Sequence, residues 1–488
     1  DVVRTRLGRD WPLVIDGNEI STGQWIPSHD PCNRATLVGR AAAATSDHID
    51  MAFAAAERAF ASWSKRPMIH RARALVKLAA IMRRRKWELA AWEVFEAGKN
   101  YLEAEADVAE AIDFCEYYAR QAMDLDDRLE TYPWPGEENT VTLQPLGVGV
   151  VIPPWNFLLA ILVGTTVGPV VAGNTVIVKP SPKTPIIAGL FLQIVEEAGI
   201  PAGVINLLTG EDAVLGDALV DDPRTRFINF TGSVGTGMRI YERASKVQPG
   251  QRFLKKVFME MGGKDALIVD ETADLDAAAD AAVAAAFGFQ GQKCSAMSRL
   301  IAVDEIHDAL VERIVNRAQQ LTVGHAADDA DVAAVIDGVQ HAKILGFIER
   351  AKTTSTLLLG GNAGAPEGWF VEPTVFTDVD PDSELAQEEV FGPVVAVLRA
   401  RDFDHALELA NGTKYALTGG IFSRLRDRIE RTREEFRVGN LYINRKITGS
   451  LVGVQPFGGF DMSGTNAKAG GPDYVRLFME AKTVTERF

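Results

Sequence analysis

The chain has 488 residues, of which 47% are hydrophobic and 24% charged, a composition typical of folded globular proteins with two or three domains. Its formal net charge of −15 argues against a nucleic-acid partner, because phosphate backbones are bound by basic surfaces. No apolar run reaches the roughly eighteen residues that a membrane-spanning helix needs, so no membrane partner is expected. Three cysteines are too few for a disulfide scaffold and fit a reducing compartment.

The first 125 residues are predicted to form a short β region followed by long amphipathic helices. Residues 12–20 resemble a strand and turn, with Asp16-Gly17 as the turn signal. Apolar residues recur with helical spacing, and acids cluster near the helix starts, at 47–63, 67–97 and 102–128. A turn at 131–136 followed by an extended segment at 140–144 predicts an exposed hairpin arm.

From residue 148 onward, short β-branched runs alternate with helical segments. The strands of a first set are predicted at 148–152, 175–179, 204–208 and 227–230, with helices at 185–198 and 211–220. A second set has strands at 266–269, 300–303, 394–398, 420–422 and 440–443, with helices at 275–289 and 306–321. Because such alternation builds parallel sheets, the sequence predicts an α/β fold with two open parallel-sheet domains in tandem and a small β-hairpin arm.

Cys294 has the surroundings of a reactive cysteine. It lies in Gly288-Phe-Gln-Gly-Gln-Lys-Cys-Ser, where glycines leave room around the thiol and Lys293 would favour the thiolate. A thiolate is the nucleophile for covalent attack on a carbonyl carbon. A structural cysteine is the alternative. Cys115 falls in an amphipathic helix and is predicted to be a core residue, while Cys32 has no evident chemistry around it.

Two polar residues stand at the end of an apolar run or on the turn after a predicted strand. Glu260 ends an apolar run before two glycines, and apolar surroundings raise the pKa of a carboxyl into the range of a general base. The alternative is an acid that caps a strand end. Asn156 follows two prolines on a stiff turn, where its carboxamide could donate a hydrogen bond to an oxyanion. Asn also favours turns for its own reasons.

Two segments have features of a nucleotide site. Residues 230–237 form a Gly-rich turn between a strand and a helix, and such turns bind phosphate through backbone N–H groups. The turn is not the G-x-G-x-x-G pattern of ordinary dinucleotide folds. Residues 383–394 carry two adjacent acids before Phe-Gly-Pro, so that a carboxylate could accept hydrogen bonds from ribose while a phenylalanine flanks an aromatic ring. A solvated loop is the alternative for the second segment.

Seven motifs occur together in one order, namely a proline-turn Asn, Val-Lys-Pro-Ser, Thr-Gly-Ser-x-x-Gly, Met-Glu-x-Gly-Gly, Gly-Gln-x-Cys, Glu-Glu-x-Phe-Gly-Pro and Pro-Phe-Gly-Gly. They resemble the aldehyde dehydrogenase superfamily over essentially the whole chain. The resemblance implies Cys294 as nucleophile, Glu260 as general base, and the Asn156 carboxamide with the backbone N–H of Cys294 as oxyanion donors. It also implies a set of residues that bind NAD(P): Lys179, Ser181, Gly232, Ser233, Glu389 and Phe391.

The reaction that this resemblance implies has two halves. The thiolate attacks an aldehyde to give a thiohemiacetal, which transfers hydride to NAD(P)+, and Glu260 then activates a water that hydrolyses the thioester. Many NAD-preferring members have a glutamate three residues after the lysine that matches Lys179, and here that position is Pro182. NAD is the expected cofactor, but nothing acidic at this position repels a 2′-phosphate, so NADP is an alternative.

The C-terminal region resembles the pyrroline-5-carboxylate dehydrogenases within this superfamily, both in residues 447–459 and in residues 463–472. That resemblance implies oxidation of glutamate semialdehyde to glutamate in proline breakdown. The substrate carboxylate is then expected at Ser295, Gly449 and Ser450, because backbone N–H groups bind an anion without a bulky cation. Phe157 and Phe457 match aromatic walls around the aliphatic chain. A surface turn is the alternative for residues 448–450.

The resemblance also implies an organisation for the chain. We expect residues 1–124 and 145–258 to bind NAD(P), residues 259–457 to form the catalytic domain, and residues 125–144 and 458–488 to form an oligomerisation arm and C-terminal segment. A homodimer or higher homo-oligomer, no metal and a cytoplasmic location (or a mitochondrial matrix location in a eukaryote) are expected. The alternatives are an aldehyde dehydrogenase for another semialdehyde or small aldehyde, a catalytically silent relative, and the dehydrogenase part of a bifunctional enzyme.

Overall fold

The computed structural model describes residues 2–125 and 131–488. The end of the helix predicted at 102–128 and the start of the predicted arm therefore lie outside the described residues. The strands, in chain order, are β1 (Arg9–Trp11), β2 (Leu13–Ile15), β3 (Asn18–Ile20), β4 (Trp25–Asp30), β5 (Asn33–Ala42), β6 (Glu137–Pro145), β7 (Val148–Ile152), β8 (Thr175–Val178), β9 (Ile205–Leu207), β10 (Phe227–Thr231), β11 (Lys256–Glu260), β12 (Asp265–Val269), β13 (Met297–Val303), β14 (Thr356–Leu359), β15 (Thr374–Thr377), β16 (Val394–Ala400), β17 (Tyr415–Ala416), β18 (Thr418–Phe422), β19 (Asn440–Ile443), β20 (Phe460–Asp461) and β21 (Met479–Arg487).

The α-helices of the described residues, again in chain order, are α1 (Ser46–Trp63), α2 (Met68–Arg84), α3 (Lys86–Ala97), α4 (Tyr101–Asp124), α5 (Ala160–Val171), α6 (Pro185–Ala198), α7 (Asp212–Asp221), α8 (Val234–Ala244), α9 (Leu275–Phe287), α10 (His307–Ala318), α11 (Gly338–Ala351), α12 (Glu384–Gln387), α13 (Phe403–Asn411), α14 (Arg426–Glu435) and α15 (Tyr474–Leu477). None of them is both long enough and apolar enough to cross a membrane.

Two seven-stranded sheets organise the molecule, which confirms the predicted α/β class. The first has the order β11-β10-β7-β8-β9-β2-β3 and the second the order β14-β15-β16-β13-β12-β18-β19. Strands β7, β8, β9, β10 and β11 run parallel to one another in the first sheet, as do β12, β13, β15, β16, β18 and β19 in the second, while β2, β3 and β14 are antiparallel to the strands they pair with. Both faces of such sheets are covered by helices, so the parallel strands are buried almost throughout.

The strand and turn predicted at residues 12–20 are confirmed and belong to the antiparallel β2–β3 pair, which turns at Asp16 and Gly17, both with positive φ. The helix predicted as one segment at 67–97 is two helices, α2 and α3, separated at Arg85. Arg85 leaves helical geometry (φ −98°, ψ 12°), and its guanidinium donates to Glu88 in the first turn of α3 at 2.9 Å. This ion pair stabilises the break, and periodicity alone does not reveal it.

The predicted arm is a two-stranded sheet, but its strands come from opposite ends of the chain. Strand β6 pairs antiparallel with β21 along nine residues, from Pro145 opposite Met479 to Glu137 opposite Arg487. A hairpin between sequence neighbours was therefore the wrong pairing for the segment at 140–144. The alternation of residues within a strand does not identify the strand it pairs with. The sequence around residues 140–144 therefore could not predict β21 as the partner of β6.

The carboxyl edge of the first sheet faces the amino edge of the second. Chain segments that leave the carboxyl ends of β7, β8, β10 and β11 meet segments that lead into β13 and β16, as the lining of one large cavity shows. Ligands of open α/β sheets bind outside the carboxyl ends of the strands. The fold therefore places a candidate site in the crevice between the two sheets.

Candidate active site

A single cavity of about 620 Å³ occupies this crevice. Eight of the residues predicted to act in catalysis or cofactor binding line it, although they lie as far apart in sequence as 156 and 391. These eight are Asn156, Lys179, Ser181, Gly232, Ser233, Cys294, Glu389 and Phe391. Glu260 and the five predicted substrate residues are not among its lining residues, so they stand behind or beside its wall.

The loop that carries Cys294 has an unusual backbone. After α9 ends at Phe287, three successive residues, Phe289, Gln290 and Gly291, have φ values of 49°, 56° and 64°. Gly291 is required there, since a β-carbon would lie 2.3 Å from the carbonyl oxygen of Gly392. The Gln290 side chain donates to the carbonyl oxygens of Gly98 and Ala334, each at 2.9 Å. Tertiary contacts thus hold a strained turn directly before the nucleophile, where such strain is commonly found.

The Cys294 thiol is half-buried, and burial raises its pKa well above the usual range. The carboxylates of Asp265, Glu389 and Glu260 raise this pKa further, while the backbone N–H of Ser295 donates to the sulfur and lowers it. The thiol is therefore protonated at rest, and it needs a base or a bound ligand to become a nucleophile.

Lys293 does not activate the thiol as its sequence position suggested. Its ammonium donates to the carboxylate of Glu103 on α4 at 2.6 Å, and both side chains are largely buried. Burial lowers the pKa of Lys293, and Glu103 raises it. The expectation failed because adjacency in sequence does not fix the direction of a long side chain.

Asn156 stands on the turn after β7 and is 4% exposed. Its Nδ2 donates to the carbonyl oxygen of Gln292 at 3.0 Å, two residues before Cys294. The carboxamide lines the same cavity as the thiol, and one of its two N–H groups suffices for the bond to Gln292. Asn156 is thus both a candidate oxyanion donor and a tie between two loops.

Lys99 joins the same two loops from behind. Its buried ammonium lies 4.9 Å from the ring of Phe157 and 5.0 Å from the ring of Phe289, which belong to the Asn156 and Cys294 loops respectively. It also pairs with Asp107 at 2.5 Å, whose other carboxylate oxygen accepts from the N–H of Ala160 at the start of α5. Sequence reasoning missed this group, because a lysine after a glycine at a helix end has no signature of its own.

Glu260 ends the apolar run of β11, and burial raises the pKa of its carboxyl to about 8. The backbone N–H groups of Gly459 and Ala467 donate to it at 3.2 Å each and lower this pKa, as does the charge of Lys468. The next residues of the chain, Met261 and Gly262, line the cavity. The carboxyl is therefore bound by the C-terminal segment 459–467 at the cavity wall, and its ionisation falls near neutral pH.

The N-terminus of α8 opens on the cavity beside the Gly-rich turn. Ser233 caps this helix by accepting from the N–H of Thr236, and both residues line the cavity with Gly232. A β-carbon on Gly232 would lie 2.6 Å from the ring of Phe230, so only glycine fits the turn. Helix N-termini attract phosphate groups through free N–H groups and the helix dipole. The turn suits the pyrophosphate of a dinucleotide.

Glu389 and Phe391 lie at the Cys294 end of the cavity. The carboxylate of Glu389 accepts from the N–H of Gly263 at 3.2 Å, and burial raises the pKa of Glu389 to about 7. Phe391 has a positive φ of 60° and packs edge-on against Trp155, with 5.4 Å between ring centroids. A carboxylate and an aromatic ring thus stand together near the thiol, as ribose and nicotinamide require.

The predicted substrate residues Ser295, Gly449 and Ser450 do not line this cavity. Ser295 is buried, and its carbonyl oxygen accepts from the Thr418 hydroxyl at 3.4 Å. The segment 448–450 is held by Arg445, whose guanidinium donates to the carbonyl oxygens of Thr448 and Gly449 at 3.1 and 3.3 Å. The charge of Lys446 lowers the pKa of Lys293, which places this segment close to the nucleophile's loop.

The two predicted aromatic walls are each half-buried and each fixed by the chain around them. Phe157 lies under Lys99, while the backbone of Phe457 is bridged to Ala469, with its N–H donating to the carbonyl oxygen at 2.9 Å. Phe157 is therefore next to Asn156, and the backbone of Phe457 is tied to the C-terminal segment that binds Glu260.

A cation stands beside the segment 448–450, in addition to the backbone N–H groups on which its predicted anion binding depends. A β-carbon placed on Gly449 would lie 3.7 Å from Cε and 3.9 Å from Nζ of Lys446, so an ammonium group stands beside the segment. No signal in the sequence separated Lys446 from other surface lysines.

The cavity also has charged lining residues that sequence reasoning missed, namely Lys183, Asp212, Asp217, Arg239 and Lys343. Asp212 pairs with Lys179. An acid therefore lines the cavity beside Lys179, although position 182, three residues after this lysine, is a proline. In the described ranges 2–125 and 131–488, no group of three or more His, Cys, Asp and Glu side chains is arranged to hold a metal ion.

Comparisons with known proteins agree with this geometry. Residues 19–484 match the family model described as the aldehyde dehydrogenase family. The 1-pyrroline-5-carboxylate dehydrogenase of Geobacillus kaustophilus is 54% identical over 487 residues, which cover 100% of this chain and 95% of that protein. The structure of 1-pyrroline-5-carboxylate dehydrogenase from Thermus with bound NAD is 51% identical, with a TM-score of 0.99 and coverage of 100% and 95%. Proline utilization A from Bdellovibrio bacteriovorus is 44% identical, with a TM-score of 0.98, and this chain covers 51% of it.

Proposed function

The chain belongs to the aldehyde dehydrogenase family, and we propose that it oxidises L-glutamate γ-semialdehyde, the open form of 1-pyrroline-5-carboxylate, to L-glutamate with NAD. The observation that carries the proposal is the position of Cys294. The thiol lines a dinucleotide-sized cavity, the next residue, Ser295, is buried and polar, and the ammonium of Lys446 stands beside the segment 448–450.

The cavity fits NAD on the evidence of its own residues. Glu389 and Phe391 stand at the Cys294 end, the N-terminus of α8 offers N–H groups to a pyrophosphate, and only glycine fits at position 232. When bound, NAD supplies the acceptor for the hydride that leaves the aldehyde carbon. We assign residues 1–124 and 145–258 to its binding and residues 259–457 to catalysis.

The first half of the reaction belongs to Cys294 and Asn156. The Cys294 thiol first gives its proton to water, and the thiolate then attacks the aldehyde carbon to form a thiohemiacetal in which the former carbonyl oxygen carries the charge. The Asn156 carboxamide and the backbone N–H of Cys294 donate to that oxygen, and the fixed bond of Asn156 to Gln292 means that no reorganisation is needed at the moment of attack.

The second half belongs to Glu260. Loss of hydride leaves a thioester on Cys294, and Glu260 takes a proton from the water that hydrolyses it. A pKa of about 8 suits this role, since a carboxyl of ordinary pKa would be a much weaker base. The N–H groups of Gly459 and Ala467 hold the ionised carboxylate in place until the thioester forms.

The substrate's α-carboxylate distinguishes it from simple aldehydes. The Ser295 hydroxyl, the N–H groups of Gly449 and Ser450, and the ammonium of Lys446 together offer donors and a positive charge to such an anion. Phe157 and Phe457 are proposed to flank its aliphatic chain. An aldehyde without a carboxylate would leave these donors unpaired, so we expect it to react more slowly.

The experiment that tests this function compares kcat/KM for 1-pyrroline-5-carboxylate with that for propanal and for succinate semialdehyde, with NAD as cofactor. The proposal requires 1-pyrroline-5-carboxylate to be preferred over both. A preference for succinate semialdehyde would point to another semialdehyde as the natural substrate. An equal kcat/KM for propanal would show that the segment 448–450 does not contribute to substrate recognition.

We also propose that the protein is a homodimer or higher homo-oligomer that assembles through the arm formed by β6 and β21 and acts in the cytoplasm. Strand β6 and strand β21 present exposed backbone along their outer edges, and unpaired edges favour association with another chain. Sedimentation equilibrium on the protein and on a variant that ends before β21 measures this assembly.

A further inference from the structure

A lysine–aspartate pair lines the end of the cavity that is formed by the segments after β8 and β9. Lys179 follows the carboxyl end of β8 and is 2% exposed, while Asp212 begins α7 after β9, and the ammonium of Lys179 donates to its carboxylate. The Asp212 side chain is 74% exposed and lines the cavity together with Lys179. An exposed acid on a cavity wall can meet a ligand directly.

Strand order identifies which half of a dinucleotide reaches this pair. The Gly-rich turn follows β10, and Met261 and Gly262 follow β11, on one side of β7. Lys179 and Asp212 follow β8 and β9 on the other side, and neighbouring strands are about 4.8 Å apart. Because the nicotinamide must lie at Cys294 and the pyrophosphate at the N-terminus of α8, the adenosine ribose reaches the Lys179–Asp212 end.

The other basic residues that line the cavity do not favour binding of a ribose 2′-phosphate. Arg239 is paired with Asp217 at 2.9 Å, and Lys183 is paired with Asp337 at 2.7 Å. Lys343, which stands nearer Cys294, donates to the carbonyl oxygen of Glu389 at 3.1 Å. Each basic residue that lines the cavity in the described part of the chain thus has an oxygen partner already, and a ribose 2′-phosphate would meet the carboxylate of Asp212.

We propose that Asp212 is a specificity-determining residue that, together with Lys179, selects a dinucleotide with a free ribose 2′-hydroxyl over one with a 2′-phosphate. Its carboxylate accepts hydrogen bonds from the ribose hydroxyls and repels a phosphate dianion, while Lys179 orients it. Pro182 leaves no acid on the strand-end loop, and α7 supplies one from a different part of the chain. The inference deepens the proposed function and rests on its use of a nicotinamide dinucleotide.

Equilibrium binding of two mononucleotides tests this role without any turnover. Isothermal titration calorimetry gives the dissociation constants of adenosine 5′-monophosphate and adenosine 2′,5′-bisphosphate for the full-length protein. The two ligands differ only in the 2′-phosphate. We expect the unmodified protein to bind the bisphosphate more weakly, by roughly tenfold or more, because a dianion is brought next to a carboxylate.

Asp212→Asn and Asp212→Ser should bring the two constants within about threefold of each other, since both remove the charge and keep a hydrogen-bonding side chain. Glu211→Gln is the matched control. It makes the same change in net charge one residue earlier, on an exposed side chain that is not among the cavity-lining residues. It should leave the ratio as it is in the unmodified protein. Thermal unfolding of all four proteins checks that each is folded.

Steady-state kinetics with NAD and NADP supply the second measurement, and the ratio of their kcat/KM values should shift toward NADP in both Asp212 variants. An unchanged binding ratio in folded Asp212→Asn and Asp212→Ser would overturn the inference, as would an equal shift in Glu211→Gln. If 1-pyrroline-5-carboxylate is not oxidised at all while the binding ratio shifts as expected, the proposed substrate fails and the inference on Asp212 stands.

Discussion

The carboxamide of Asn156 donates to the carbonyl oxygen of Gln292 at 3.0 Å, and this bond links the turn after β7 to the loop that carries Cys294. Gln292 is itself fixed, because its side-chain oxygen accepts from the N–H of Ile336 at 2.9 Å. The loops that carry the proposed oxyanion donor, Asn156, and the proposed nucleophile, Cys294, are therefore linked to each other before any substrate arrives.

Asn156→Ala removes both the tie and the oxyanion donor. We expect kcat to fall by about 10²–10³-fold, the cost of losing one such donor. Dissociation constants for NADH from fluorescence titration should change little, since the cofactor contacts lie elsewhere in the cavity. A variant that keeps its kcat would assign oxyanion stabilisation to the backbone N–H of Cys294 alone.

Cys294→Ala should abolish oxidation, with a loss of roughly a thousandfold or more, while NAD binding and the melting temperature stay close to those of the unmodified protein. Cys32→Ala is the control, because it removes a buried thiol that does not line the cavity. Mass spectrometry after mixing with substrate and NAD should detect an acylated enzyme only when Cys294 is present. Retention of substantial turnover without this thiol would contradict covalent catalysis.

The role proposed for Glu260 predicts that the rate of thioester hydrolysis depends on pH. Its folded pKa is raised to about 8, and the group acts as a base only when ionised, so hydrolysis of the thioester should slow as pH falls through about 8 and reach a plateau above it. Glu260→Gln should give a burst of NADH equal to the enzyme present and then stall. The slow residual rate of this variant should no longer depend on pH near 8. Steady turnover of Glu260→Gln at the normal rate would show that another base activates the water.

Ser295→Ala tests recognition of the substrate carboxylate. The loss of a hydroxyl donor to a charged group costs roughly 1.5–3 kcal/mol, or about ten- to a hundredfold in kcat/KM for glutamate semialdehyde. Oxidation of propanal should barely change. Ser298→Ala removes a buried hydroxyl three residues later, for which the described residues offer no hydrogen-bond partner, and should affect neither substrate. Equal losses on both aldehydes for Ser295→Ala would mean that Ser295 only supports Cys294.

Gly449→Val tests the space in front of the segment 448–450. Gly449 has a φ of +76°, so any side chain strains the backbone by roughly 1–2 kcal/mol, but the nearest atom to a β-carbon is Cε of Lys446 at 3.7 Å. The fold therefore has room, and the valine should raise KM for glutamate semialdehyde by filling the anion's place. Gly449→Ala carries the same strain with the smallest side chain and is the matched control. If Gly449→Ala raises KM as much as Gly449→Val does, the effect comes from the strained backbone and not from the size of the side chain.

Much of the active site could be predicted from the order of short motifs. Asn156, Cys294, Glu389 and Phe391 line one cavity as expected, because each motif combines a chemical group with glycines or prolines that fix the local turn. The raised pKa of Glu260 also followed from the apolar run before it. The reach of long side chains could not be predicted in this way. Lys293 bonds to Glu103 rather than favouring the thiolate, and Lys446 stands beside a segment whose predicted anion binding depends on backbone N–H groups.

The sequence by itself determined the alternation of strands and helices, the parallel sheets that follow from it, and the residues that carry the chemistry, because hydrophobic periodicity and turn residues act over a few positions. Only the tertiary structure decided contacts between segments distant in the chain. Strand β6 found its partner at the C-terminus, Lys99 joined the loops of Asn156 and Cys294, and Asp212 supplied the acid that position 182 lacks. Such contacts depend on which faces and edges meet when the sheets pack, and no local pattern records that.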